Sequence, residues 1–297
     1  MKPVEPIYTV ELFPGASRAL LDLLGELSDA EWGAPTACAG WTVRDVAAHL
    51  LGGNLGRLAA QRAELITHKM DGPQWQALFD LMAQTSRTIV PLSTFDALVA
   101  VINRFNAEWI DVAQSLDTAQ LIAFLALTDP VLYQHFKALA PAAMTHIGVA
   151  WAGEAQSANW FDMAREYTEK WHHQQHIRDA VNRPGLTERC WLYPVLDTFM
   201  RALPHTYRNQ SAPDGTVVNF EIAGEAGGEW ALVRQGERWQ LYAGSADNAT
   251  ATASLNQDVA WRLFTNGMSW DDARRQLKLT GDETLGAEIL NMVSIMA

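Results

Sequence analysis

The spacing of apolar residues divides this chain in two. Up to about residue 211, hydrophobic side chains recur every three or four positions and nowhere alternate as in a half-buried strand. Leu12, Ala16, Leu20, Leu23 and Leu24 follow that spacing. The clearest helix is expected over 42–65. Thr42 can cap it, Asp45 stands three positions on where a capping-box acid belongs, and Val43, Val46, Ala47 and Leu50 form its apolar stripe. Gly52, Gly53 and Gly56 each weaken such a helix by roughly 1 kcal/mol relative to Ala, unless they let a neighbouring helix approach closely. Further helices are expected over 74–86, 94–115, 135–151, 158–182 and 190–207, with Pro184 and Gly185 closing the 158–182 stretch. Long helices joined by short polar turns pack as an antiparallel bundle.

From about residue 212 the pattern changes. The run TVVNFEIAG (216–224) alternates with a period of two, EWALVRQGERWQLYAG (229–244) reads as two strands around Gln235-Gly236-Glu237, and NATATASL (248–255) is small and β-branched. Helical pieces follow over 256–265 and 284–296. The expected architecture is mostly α: a helical bundle over 1–211 and a small α+β domain over 212–297.

Composition narrows the function classes. Of the 297 residues, 48% are hydrophobic, enough for a packed core rather than a disordered chain. With 22 basic against 34 acidic residues the net charge is −12, which disfavours nucleic acid and anionic membrane surfaces as partners. The N-terminus has no secretory apolar stretch. The most apolar run, 138–152, is shorter than the about 20 residues that span a bilayer. Only Cys38 and Cys190 are present, too few for a disulfide scaffold. A soluble cytoplasmic protein, monomer or homodimer, with a small-molecule substrate is expected.

The segment YTEKWHHQQHIRDA (167–180) carries the chemistry. On a helix Glu169 and His173 are one turn apart, His176 follows on the same face, and His172 lies to one side. A carboxylate and imidazoles on one face can share a divalent metal if a third ligand comes from elsewhere. His49 is the best candidate; His68, His135, His146 and His205 are the others. Trp160, Met163, Tyr167 and Trp171 occupy roughly the opposite side of this helix. If that side is its only core face, the Glu/His side is merely solvated, so a metal site requires burial on both sides. His49 has its own structural alternative, a hydrogen bond to Asp45. Cys38 reads as a small packing residue in preference to a nucleophile at a helix start. Phosphate-loop and nucleophile-elbow motifs are absent.

Two stretches together resemble one family. CAGWTVRDVAAHLLGGNLGR (38–57) is similar to the opening metal helix of the DinB-like, mycothiol-dependent maleylpyruvate isomerase family, with its Gly-Trp-Thr/Ser-x-x-Asp-x-x-x-His-Leu block. EKWHHQQHIRDAVNRPG (169–185) resembles the second metal helix of that family. The chain from about 216, with its closing GDETLGAEILNMVSIMA (281–297), resembles the family's sterol-carrier-like C-terminal domain. The resemblance implies a four-helix bundle of the up-down-down-up type that holds one divalent metal, often zinc. Carried over, the ligands are His49, Glu169 and His173. Members often have Asp three positions after the second His, where this chain has His176. That departure leaves His172 or His176 as alternates, although the His-Gln-Gln spacing ahead of Ile-Arg-Asp-Ala favours His173.

The chemistry implied by the resemblance uses a low-molecular-weight thiol such as mycothiol. A metal-bound thiolate adds to a small electrophile, for transfer or for isomerisation about a double bond. Two other readings stand beside it: a metal hydrolase at the same site, and a non-enzymatic binding protein for a lipid or other apolar small molecule. The last would use the C-terminal module or a pocket lined by Trp41, Trp151, Trp160 and Trp171.

Overall fold

The computed structural model describes residues 1–60, 70, 72–85, 95–145, 152–153 and 156–293. These form two compact units, neither of them a continuous stretch of chain. One comprises Val10–Ala140 and Glu169–Gly185; the other comprises Met1–Thr9, Pro141–Thr168 and Leu186–Ala297.

The first unit is helical. It contains α1 (Phe13–Gly25), α2 (Asp29–Trp32), α3 (Val43–Ala60), α4 (Pro73–Met82), α5 (Phe95–Ala113) and α6 (Thr118–Ala138). It also contains the later turns of α7, a helix that runs Asn159–Ala180. Helix α6 packs against α1 and α3, and α5 packs against α3 and α4. The core is Leu20, Leu24, Val46, Leu51, Leu58, Trp109, Leu125 and Phe136, all essentially inaccessible. Helix α7 is tied in by polar contacts: Gln174 Nε2 donates to the Ala16 carbonyl (3.0 Å) and Arg178 to that of Ala19 (3.1 Å).

One sequence expectation is corrected here. A helix was expected over 135–151, but α6 ends at Ala138, Leu139 is extended and Pro141 follows. The real helix starts at Thr118, seventeen residues before the expected start at 135, and was hidden by Pro130 within it and by apolar residues on every face. Its start is set by a capping box: Gln120 N–H donates to the Asp117 carboxylate (2.7 Å) and Asp117 N–H to the Gln120 side chain (2.9 Å).

The second unit is α+β. Its sheet has the order β1-β4-β3-β2-β5-β6. The strands are β1 (Lys2–Pro3), β2 (Val217–Ala223), β3 (Gly228–Gln235), β4 (Arg238–Ala243), β5 (Ala251–Asn256) and β6 (Lys278–Gly281). β2, β3 and β4 form an antiparallel meander, and β5 pairs parallel with β2, Val218 opposite Ala251. Helices α8 (Arg189–Met200), α9 (Leu203–Thr206), α10 (Gln257–Phe264), α11 (Trp270–Gln276) and α12 (Glu283–Ala287) complete the unit. The alternation in 216–244 thus marked three strands; β1, β6 and α11 are too short to show a period. The expected terminal helix is shorter, with α12 passing into a 3-10 turn at Glu288–Asn291. Trp230 Nε1 donates to Asp197 (3.0 Å), and the Tyr207 hydroxyl to the Leu285 carbonyl, so the buried aromatics have polar partners. Among the described residues, no helix is long and apolar enough to cross a membrane.

Candidate metal centre

The site lies where the start of α3 meets the later turns of α7. Helix α3 begins as the sequence implies. Asp45 accepts from the Thr42 backbone N–H (2.9 Å) and hydroxyl (2.7 Å). Its second oxygen accepts from Gln114 Nε2 (2.9 Å), so Asp45 is engaged by Thr42 and Gln114. Arg44 reaches the carbonyls of Ala113, Gln114 and Leu116 past the end of α5, where a cation satisfies orphan helix carbonyls. Trp109 Nε1 donates to the Ala48 carbonyl (2.7 Å). These contacts lock α3 against α5 and bring Asn106 of α5 into hydrogen bond with His49.

The approach to α3 is a tight turn. Trp41 N–H donates to the Cys38 carbonyl (3.0 Å), and Gly40, third in the turn, has φ +79°. A positive φ there is the type II requirement that selects glycine. Thr36 clasps the turn from below, its hydroxyl donating to the Trp41 carbonyl (2.9 Å) and accepting from the Cys38 N–H (3.2 Å). The turn delivers the Cys38 thiol and the Trp41 ring to one place. Trp41 lies 5.0 Å, ring to ring, from His49 and 6.5 Å from His173.

Helix α7 is buried on both sides. Residues 171–177 are buried without interruption, so the Glu/His face is no solvated surface. Glu169 and His173 meet at 3.2 Å (Oε2 to Nε2), and the rings of His49 and His173 lie 4.6 Å apart. One donor atom each from His49, Glu169 and His173 falls within 4.8 Å of the others. Donors around a tetrahedral zinc-type ion stand ~3.4 Å apart, so a small contraction closes the set on one cation.

The electrostatics suit a cation. Burial holds the His49 imidazole below its ordinary pKa, against the opposing pull of Glu169 and Asn106. His173 is pushed far lower by burial, with His49 and His176 adding to the effect. Both rings are therefore neutral near pH 7 and keep a lone pair for a ligand. The buried Glu169 Oε2 accepts no hydrogen bond. A buried carboxylate oxygen beside two neutral imidazoles is the donor set expected of a divalent metal site with open positions.

The remaining sequence candidates fall elsewhere. His172 is fully buried, its Nδ1 3.7 Å from Glu169 Oε2, outside the three-donor group. His176 turns to Cys38 instead. His135 sits on α6 near Phe136, and His205 belongs to the other unit. His68, His146 and Trp151 lie outside the described residues. Trp41 and Trp171 belong to the helical unit and Trp160 to the α+β unit.

The Mycothiol maleylpyruvate isomerase N-terminal domain model matches residues 13–178. The chain belongs to that family. The matched span of this family member includes Cys38, His49, Glu169, His173 and His176, and ends before strand β2. Two solved structures resemble it: mycothiol-dependent maleylpyruvate isomerase and a histidine-to-alanine mutant of that enzyme. Each shows 12% identity, a TM-score of 0.48, and coverage of 91% of both chains. No curated protein matches.

Sequence reasoning missed three features. Cys38 is no mere packing residue, because its Sγ faces two imidazoles. Asn106 is one polar residue in a long helix, and nothing in its spacing points to His49. Third, a buried polar cluster lies beside the site: Lys170 Nζ pairs with Asp129 Oδ1 (2.6 Å), which also accepts from Asn54 Nδ2 (2.7 Å). The adjacent Glu169 and Lys170 thus diverge, one toward the histidines and one toward Asp129.

Proposed function

We propose that this chain is a metal-dependent enzyme that uses a low-molecular-weight thiol of the mycothiol type. It acts in the cytoplasm on a small electrophile, by isomerisation about a double bond or by thiol transfer. The observation that carries this reading is the convergence of His49, Glu169 and His173 within the span matched by the family model. A divalent cation held there, zinc by its N and O donors, supplies Lewis acidity and lowers the pKa of a thiol beside it.

The chain's own residues prepare that chemistry. His49 Nδ1 or Nε2 is kept unprotonated by burial, and Asn106 fixes the ring through its hydrogen bond. His173 is likewise neutral and is walled by Trp41, which limits water at the two imidazoles. Glu169 contributes the negative charge that offsets a cation, and it is less buried than the histidine beside it, with 39% of its side chain exposed against 10%. The site is therefore reachable from the Glu169 side.

Metal analysis of protein purified without chelator tests the ligand set. His49→Ala and Glu169→Gln should each release one equivalent of divalent ion, and unchanged content in both variants refutes the assignment. Maleylpyruvate with mycothiol is the first substrate pair to assay. Turnover that does not depend on the thiol would overturn the thiol reading and favour hydrolysis by the same site.

A further inference from the structure

His173 stands between two donor sets. Its Nε2 faces Glu169 Oε2 at 3.2 Å, while its Nδ1 faces the Cys38 sulfur at 3.8 Å. The same sulfur lies 3.1 Å from His176 Nδ1. Donor atoms of Cys38, His173 and His176 fall within 4.8 Å of one another. Both histidines are buried, His173 8% and His176 4% exposed, and Cys38 is half-buried. The three come from two elements fixed independently, the Thr36-clasped turn and α7.

The geometry points to a second cation site, built from Cys38 Sγ, His173 Nδ1 and His176 Nδ1, for a soft or borderline divalent ion of the zinc type. One thiolate and two imidazoles select zinc or cobalt over magnesium or calcium, which take oxygen ligands. Three protein donors leave a fourth position open. On binding, the Cys38 S–H bond gives way to an Sγ–metal bond, and the thiol proton passes to solvent. The two sites are coupled through one ring. Either alone uses a single nitrogen of His173; filling both requires both nitrogens, so the ring proton must also leave to solvent. Occupancy of one site therefore weakens the other.

Titration of metal-free protein with Co2+ tests this, because thiolate coordination gives a near-ultraviolet sulfur-to-cobalt charge-transfer band that nitrogen and oxygen donors do not. Wild type and Cys190→Ser should develop the band. Cys38→Ser and His176→Asn should lose it while keeping cobalt at the first site. His49→Ala and Glu169→Gln should keep it, with less bound cobalt. Circular dichroism establishes that each variant is folded. Absence of the band in wild type at saturating Co2+, or its survival in Cys38→Ser, overturns the proposal. Loss of the band in Glu169→Gln as well as in Cys38→Ser would mean that Cys38 serves a single ion with His49 and Glu169, which also overturns it. The nitrogen-and-oxygen site is read separately in the Cys38→Ser background, where adding His49→Ala or Glu169→Gln should release the remaining ion.

Discussion

Helix α3 carries three glycines that elementary propensity treats alike and the structure does not. Replacing an exposed helical Gly with Ala stabilises by about 1 kcal/mol through backbone entropy. Nothing lies within 4 Å of a Cβ built on Gly53 or Gly56, so Gly53→Ala and Gly56→Ala should realise that gain. Gly52 is buried, and a Cβ there would stand 2.6 Å from Trp109 Nε1 and closer still to Cδ1. Trp109 is fully buried and cannot yield as a flexible chain end would. Overpacking of this kind costs about 1–3 kcal/mol. Displacing the indole also breaks its bond to the Ala48 carbonyl and strands a buried N–H, about 1–3 kcal/mol more. After the propensity gain, Gly52→Ala should destabilise by about 1–5 kcal/mol. Urea unfolding followed by circular dichroism, with equal slopes, measures the difference. If Gly52→Ala proves as stable as Gly53→Ala, then close packing of Trp109 is not what selects glycine at 52. Asn106 sits one turn from Trp109, so the same substitution should also weaken metal binding through His49, and Gly53→Ala should not.

Two more outcomes follow from buried charge. Lys170→Met leaves the Asp129 carboxylate buried with Asn54 as its remaining donor and should cost about 3–5 kcal/mol. Replacing Asp129 with Leu in the same protein should recover most of that loss in urea unfolding, and a double variant no better than the single would refute the pairing. In the metal-free protein, His49 and His173 are held below the ordinary imidazole pKa, mainly by burial. Below about pH 6.5 the unfolded chain then binds more protons than the folded one, so stability falls as pH falls through that value, by up to ~1.4 kcal/mol per unit for each ring. A urea midpoint that is flat between pH 7.5 and 5.5 would contradict this; those pH values bracket about 6.5, the unperturbed value.

Local pattern was enough for much of the architecture. The Thr42–Asp45 cap, the helix through 167–180 and the strands at 216–244 each follow from spacing within a few residues, where backbone geometry imposes its period. The i, i+4 relation of Glu169 and His173 is likewise a property of the helix alone. Helix α6 escaped because apolar residues such as Ala123 and Ala126 also occupy its exposed positions and blur the buried stripe that reveals a helix, and Pro130 mimics a stop.

The sequence by itself determined which side chains could act as donors and which of them share a helical face. Only the tertiary structure decided that α7 is buried on both sides, that His49 meets both Asn106 and His173, and that Cys38 turns toward His176. The physical reason is range. Periodicity constrains neighbours along one element, whereas residues 38, 49, 106 and 173 are brought together by the packing of separate helices, and that depends on shape as local as the missing Cβ of Gly52 beneath Trp109.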